Sequence, residues 1–112
     1  MKDVTILMDM KVGRVAELLE ALAAAGVIPA GGCFFPRLEG RIAHLAVDDA
    51  VVHKVKSVAG ELDHAVLDER DVTVIEPTVD LAATARRVAE EGTAVYLAYF
   101  GADGRLFLGV PD

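Results

Sequence analysis

Val4-Thr5-Ile6-Leu7-Met8 is the first apolar run of the chain, short and rich in β-branched residues, as a buried strand requires. From Val12 the period changes to that of a helix. Val12, Val15, Ala16, Leu19, Leu22 and Ala23 recur at i, i+3, i+4, i+7 spacing, with Glu17 and Glu20 on the other side. Gly26 stands where a left-handed residue closes a helix. Extended segments at 28–35 and 41–47 flank residues 36–40, which predict a hairpin loop. Asp48-Asp49 predicts an N-cap and a negative first turn for a second helix, with Val51, Val52, Val55, Val58, Ala59 and Leu62 on its inner face. Ala65-Val66-Leu67 and residues 71–75 then predict one long strand or two short ones. Between them Asp68-Glu69-Arg70-Asp71 is a charge run that reads as a solvated bend.

Strand, helix, strand, strand, helix, strand, with both helices on one side of a largely antiparallel sheet, is a ferredoxin-like βαββαβ unit of the α/β (α+β sandwich) class. The chain then starts again. Asp71-Val72-Thr73-Val74-Ile75 repeats Asp3-Val4-Thr5-Ile6-Leu7, residues 81–92 follow 15–26 in apolar pattern and closing glycine, and Gly104-Arg105-Leu106 echoes Gly40-Arg41-Ile42. The sequence reaches Pro111-Asp112 where the first copy reaches Asp48-Asp49. The expected organisation is a complete unit over residues 1–70 and a partial βαββ unit over 71–112. One helix over the second half would leave Tyr96, Leu97, Tyr99, Phe100, Leu106 and Leu108 partly uncovered, and a homodimer would cover them. Tyr96 and Tyr99 have opposite parity, so only one can reach the local core.

Composition narrows the partners. At 112 residues the chain suits one compact domain, burying about 65% of its unfolded surface. A net charge of −7 without a Lys/Arg cluster repels phosphate backbones, so nucleic acid is not an expected partner. A single cysteine, Cys33, excludes an internal disulfide framework and fits a reducing cytosol. No leader-like apolar segment opens the sequence, and no apolar run approaches the ~20 residues of a membrane span. The expected compartment is the cytoplasm, without membrane attachment.

The first strand, the helix start Gly13-Arg14-Val15-Ala16-Glu17-Leu18-Leu19 and the helix exit Ala24-Ala25-Gly26-Val27 resemble the ACT domain family, with later strands at 42–49 and 71–76 in matching places. The resemblance covers nearly the whole chain. It implies a regulatory module whose units pair side by side and bind a small molecule, often an amino acid, at the paired interface. In that family the ligand lies between the first strand–helix loop of one unit and a strand of its neighbour. Carried over, the ligand residues are Met10, Lys11, Val12, Gly13 and Arg14 in the loop, with Gly32, Cys33 and Phe34 in the facing strand. Loop chemistry agrees: a glycine permits close backbone approach, and free N–H groups at a helix N-terminus attract a carboxylate. The second copy begins with Pro77-Thr78-Val79-Asp80, where Asp80 caps the helix and repels a carboxylate, which leaves the first loop as the expected site.

Other readings stay open for these residues. Lys11 and Arg14 can fold over an anion or be solvated cations beside an ordinary turn. Gly31-Gly32 can admit a ligand or a neighbouring backbone, or mark a β-bulge. Cys33 needs a base and a positive setting to be a nucleophile, and otherwise is a buried thiol. His44, His53 and His64, with Asp48 and Asp49, match no metal-ligand spacing, and no cofactor is implied. The expectation is a non-enzymatic, ligand-sensing homodimer acting on a separate partner protein. A dimerisation module without a ligand is the second reading, and a small enzyme on a ferredoxin-like fold the third.

Overall fold

The computed structural model describes residues 1–77, 80–92 and 94–109. The elements run β1 (Lys2–Met8), α1 (Arg14–Ala24), β2 (Gly31–Arg37), β3 (Gly40–Val47), α2 (Val52–Glu61), β4 (Ala65–Ile75), α3 (Leu81–Glu90), β5 (Leu97–Phe100) and β6 (Leu106–Gly109). All the strands join one six-stranded sheet in the order β2-β3-β1-β4-β6-β5, every neighbouring pair antiparallel. The class is α+β. Thr78 and Val79, at the expected start of the second copy, together with Thr93 and residues 110–112, lie outside the described residues. Among the described residues no helix is long and apolar enough to cross a membrane.

Local chemistry explains most element ends. Gly26 is left-handed, and the N–H groups of Gly26 and Val27 bond the Ala23 and Leu22 carbonyls at 3.0 and 2.8 Å, closing α1 as the sequence predicted. Asp80 caps α3 by accepting the Ala83 N–H at 2.9 Å. The Asp48-Asp49 cap is not made. A 3-10 turn at Asp49–Val51 precedes α2, neither start has a side-chain cap, and the Asp49 carboxylate instead lies 2.7 Å from the Met1 amino group. The hairpin turn is only Leu38-Glu39, because β2 extends to Arg37 and β3 starts at Gly40. The inner stripe of α1 centres on Leu18 and Leu22, while Val12 lies ahead of the helix and is fully exposed.

β4 is one continuous strand of 11 residues. Residues 65–71 pair with β1, and residues 72–75 pair with β6. The expected boundary between residues 70 and 71 falls inside it, and the charge run at 68–71 is paired strand rather than bend. Its ionic groups find partners along the sheet: Arg70 with Asp68 at 2.7 Å, Lys2 with Asp71 at 3.0 Å, and Lys56 with Glu69.

Helices α1 and α2 cover one face of the first four strands, where Val4, Ile6, Met8, Ala43, Leu45 and Val47 pack with Leu18, Leu22, Val55 and Ala59. The opposite face carries a second cluster of Ala46, Tyr99 and Phe107, backed by Met1, Cys33, Val72, Val74 and Leu97. Sequence equivalence pairs Val72 and Val74 with Val4 and Ile6, yet these residues lie on opposite faces. The cause is a bulge in β4. The β1–β4 register passes from Ile6↔Val66 to Thr5↔Asp68, skipping Leu67, and one extra residue exchanges the two faces of everything that follows. The side of β5–β6 toward α3 therefore carries Ala98, Phe100, Leu106 and Leu108, while Tyr99 and Phe107 point inward. This corrects the expected exposure: Tyr99, Leu106 and Leu108 are buried within the chain, and only Tyr96 and Phe100 remain half exposed.

The sheet coils until its two outermost strands meet at an antiparallel bridge between Gly31 and Gly101. A Cβ on Gly31 would lie 2.9 Å from the Gly101 Cα, and one on Gly101 would lie 2.6 Å from the Ala30 carbonyl oxygen. Of the two readings of Gly31-Gly32, backbone approach holds and the bulge does not, because the β2–β3 register runs without a shift. Gly101→Val is expected to lower the unfolding free energy by about 1–3 kcal/mol in urea titration, since backbone must move to admit the side chain. An unchanged midpoint would show that closure contributes nothing to stability.

Candidate functional site

The β1–α1 loop is organised by Asp9. Its carboxylate accepts the Lys11 N–H at 2.9 Å and Arg14 Nε at 3.2 and 3.3 Å, and it pairs with Arg14 Nη2 at 3.1 Å. Arg14 Nη1 reaches Glu17 at 3.0 Å. The Lys11 N–H first, and then Arg14, hold the Asp9 carboxyl below the ordinary carboxylate range. Gly13 sits in the left-handed region at φ 88° and starts α1 with no side-chain cap. Met10 and Val12 project into solvent. The expected two-cation clamp is thus half dismantled: Arg14 is committed to Asp9 and Glu17, while Lys11 has no ion pair among the described residues.

His64, at the start of β4, is buried, and its Nε2 has no hydrogen-bond partner. Burial first, and then the positive charge of Arg14, push its pKa down, against the opposing pull of Asp9, Glu17 and Asp63. The neutral ring is the form this site accepts.

The three strand residues do not share a surface. Gly32 and Phe34 face the helices and border a groove of about 340 Å³ with Leu19, Ala23 and Ile28. Cys33 faces the opposite, inner side, where burial and then Asp3 push its thiol pKa up. It pairs across the strands with His44, but no side-chain hydrogen bond joins the two among the described residues. A protonated thiol without a base is not an activated nucleophile. Within one chain the loop sits at the β2–β3 hairpin, where Gly40 abuts Met8, whereas Gly32, Cys33 and Phe34 pair with Leu45, His44 and Ala43 further along β3.

The most organised polar group in the molecule was not visible as a site in the sequence. Asp3, only 1% exposed, accepts the Tyr99 hydroxyl at 2.8 Å on one oxygen; the Thr5 hydroxyl and His44 Nδ1 approach the other at 3.0 and 2.9 Å. A carboxylate oxygen only accepts, so His44 Nδ1 carries the proton of this contact. The ring stacks on Phe35 at 5.7 Å between centroids. Burial above all, reinforced by Asp3, drives the Tyr99 hydroxyl far above its usual pKa. His44 does lie opposite Leu45, as the alternation predicted, but that face is closed by a hairpin more than 50 residues later in the sequence. Among the described residues no group of three or more His, Cys, Asp or Glu is placed to hold a metal ion.

No protein-family model matches the chain, and no curated protein matches it. Among solved structures, the crystal structure of protein BT0572 from Bacteroides thetaiotaomicron superposes with a TM-score of 0.77 at 21% identity, over 99% of this chain and 79% of that one. At that identity the likeness concerns the fold alone.

Two outcomes test these environments. Asp3→Ala strands the His44 N–H and the Tyr99 hydroxyl, and is expected to cost about 3 kcal/mol or more in urea unfolding. A loss under about 1 kcal/mol would show that these donors already have other acceptors. For His64, the unfolded ring binds protons at higher pH than the folded one, so stability rises with pH between the two pKa values and is lost as pH falls below about 6.5. The melting temperature is expected to drop between pH 7.5 and 5.5, a window above the depressed carboxyls Asp9, Asp49 and Asp68, and His64→Asn should flatten that slope. An equal slope in the variant would assign the effect elsewhere.

Proposed function

We propose that this chain is a regulatory module that binds a small molecule, an amino acid being the class its chemistry suits, and that it works as a homodimer. In this reading residues 1–70 form a ferredoxin-like, ACT-like unit and residues 71–112 a partial one, joined through the shared β4. The strand order β2-β3-β1-β4, with α1 and α2 on one face, supports this reading.

The single observation that carries the ligand reading is the β1–α1 loop. It brings an uncapped helix start, the Asp9 carboxylate and Lys11, which has no ion pair among the described residues, into one short loop. First-turn N–H groups and Lys11 suit a carboxylate, and Asp9 suits an ammonium, so the loop complements a zwitterion. Dimerisation is supported by the 73–75 edge of β4, which pairs with no strand among the described residues on the side away from β6. Beside it lies a groove of about 680 Å³, lined by Ile75, Val88 and Leu108 and bordered by Arg87 and Glu91. A two-fold axis perpendicular to that edge would bring the two grooves together, with Arg87 and Glu91 of each protomer able to pair reciprocally. Commitment of Arg14 to Asp9 and Glu17 favours a second reading, a dimerisation module with no ligand.

A thermal-shift series with the common amino acids and simple carboxylates, alongside light scattering at high micromolar protein, separates the readings. A ligand at 100 times its Kd adds about 2.7 kcal/mol, which moves the midpoint of a domain this size by several degrees. Lys11→Glu is expected to abolish that shift while leaving the unliganded midpoint unchanged. A dimer with a flat series establishes the second reading, and a monomer removes the homodimer from both.

A further inference from the structure

We propose that the trough above His44, on the concave face of the sheet, is a second binding site, for a planar carboxylic acid bearing a hydroxyl or amino donor. The trough measures about 420 Å³, within the range of small-molecule sites. It combines three kinds of recognition. Phe35, Ile42 and Tyr96 supply apolar and aromatic surface, Arg37 and Arg70 supply positive charge, and His44 supplies a directed acceptor.

The acceptor follows from the network beneath it. Asp3 and Thr5 both approach Nδ1, at 2.9 and 3.3 Å, and no described residue bonds Nε2. With a proton held on Nδ1 by a carboxylate that already receives two hydroxyls, Nε2 of the neutral ring presents a lone pair to the trough and selects a ligand O–H or N–H. Such a fixed, nine-tenths buried acceptor discriminates against an analogue lacking the donor, because the unmatched nitrogen would be desolvated for nothing. The Phe35 ring lies nearly parallel to the imidazole, 22° between planes, so the floor offers a flat surface suited to a flat ligand.

The carboxylate partner is Arg37. It pairs with Glu39 at 3.1 Å, both side chains about half exposed, an arrangement of small net value that a ligand carboxylate can replace. Arg70 is held more firmly, by Asp68 at 2.7 Å and over the Tyr96 ring at 5.0 Å, and adds positive potential to the wall while Asp68 offsets part of it. This site lies on the face opposite α1 and α2 and does not depend on the loop ligand proposed above.

The test titrates 4-hydroxybenzoate, benzoate and 4-hydroxybenzyl alcohol into the full chain by calorimetry, with the nitrogen-15 signals of the His44 ring observed by NMR. The hydroxy acid is expected to bind with a Kd on the order of 0.1–1 mM. The two probes lacking one group should each bind at least about tenfold more weakly. The His44 Nε2 resonance should move toward the hydrogen-bonded position with the hydroxy acid alone. Arg37→Gln, on a half-exposed strand end, should weaken the hydroxy acid about tenfold with the fold intact, and Lys11→Glu should leave it unaffected. Any of three results overturns the proposal: a static His44 signal at about 10 mM hydroxy acid, equal affinity for benzoate, or undiminished binding by Arg37→Gln.

Discussion

A single carboxylate, that of Asp3, holds the two halves of the sheet in their coiled arrangement. It lies on β1 and takes donors from β1, β3 and β5, so three strands that are remote in sequence share one acceptor. Burying that charge is unfavourable unless its lone pairs are matched, and matching them requires β5 to lie over the face of β1 and β3 that α1 and α2 leave uncovered. Hydrophobic burial of Phe107 and Ala46 drives the approach without direction. The hydrogen bonds of Asp3 set its register. Once Tyr99 is in place, Gly31 and Gly101 can touch, and β2 meets the end of β5.

The helix-covered core and the coiled interior obey different rules. Aliphatic interdigitation behind α1 and α2 needs only residues of suitable size. The interior is smaller, aromatic and polar, and it tolerates little change because the Asp3 carboxylate, His44 Nδ1 and the Tyr99 hydroxyl are fixed on one another. The part of that inner face left open to solvent is the trough, and its chemistry is inherited from the network beneath it. Packing on α3 is the contrast. Thr84 is its only buried residue, and a cavity of about 360 Å³ separates it from Leu106 and Leu108. The second half is therefore held mainly by its strands, with its helix a light cover.

Element type was legible along most of the chain, because amphipathic periods and helix stops are local facts. The α2 stripe of Val52, Val55, Val58 and Ala59 and the closing turn at Gly26 follow from spacing alone. The site was much less legible. Whether Arg14 is a free cation depends on Asp9 curling back to meet it, a matter of loop geometry that composition does not contain. Asp3 carries no site signal in the sequence, since nothing within its own segment shows that Tyr99 will cover it. The likeness of residues 71–75 to 3–7 is legible in the sequence, but the facing of the two segments is not: a bulge at Leu67 leaves no mark in a pattern of apolar residues, yet it decides which of them meet.

That bulge gives β4 a property closer to a reading frame than to a scaffold. Residues before Leu67 and after it are phased oppositely against the sheet faces, so that Val66 meets the helix-covered core while Val72 and Val74 meet the coiled interior. Substitutions along residues 68–71 change only local contacts. Adding or removing one residue there would exchange inside for outside through the rest of the sheet, turning Val72 and Val74 toward α3 and exposing Thr73 and Ile75 to the interior. The length of this strand, more than its composition, is what the remainder of the chain depends on.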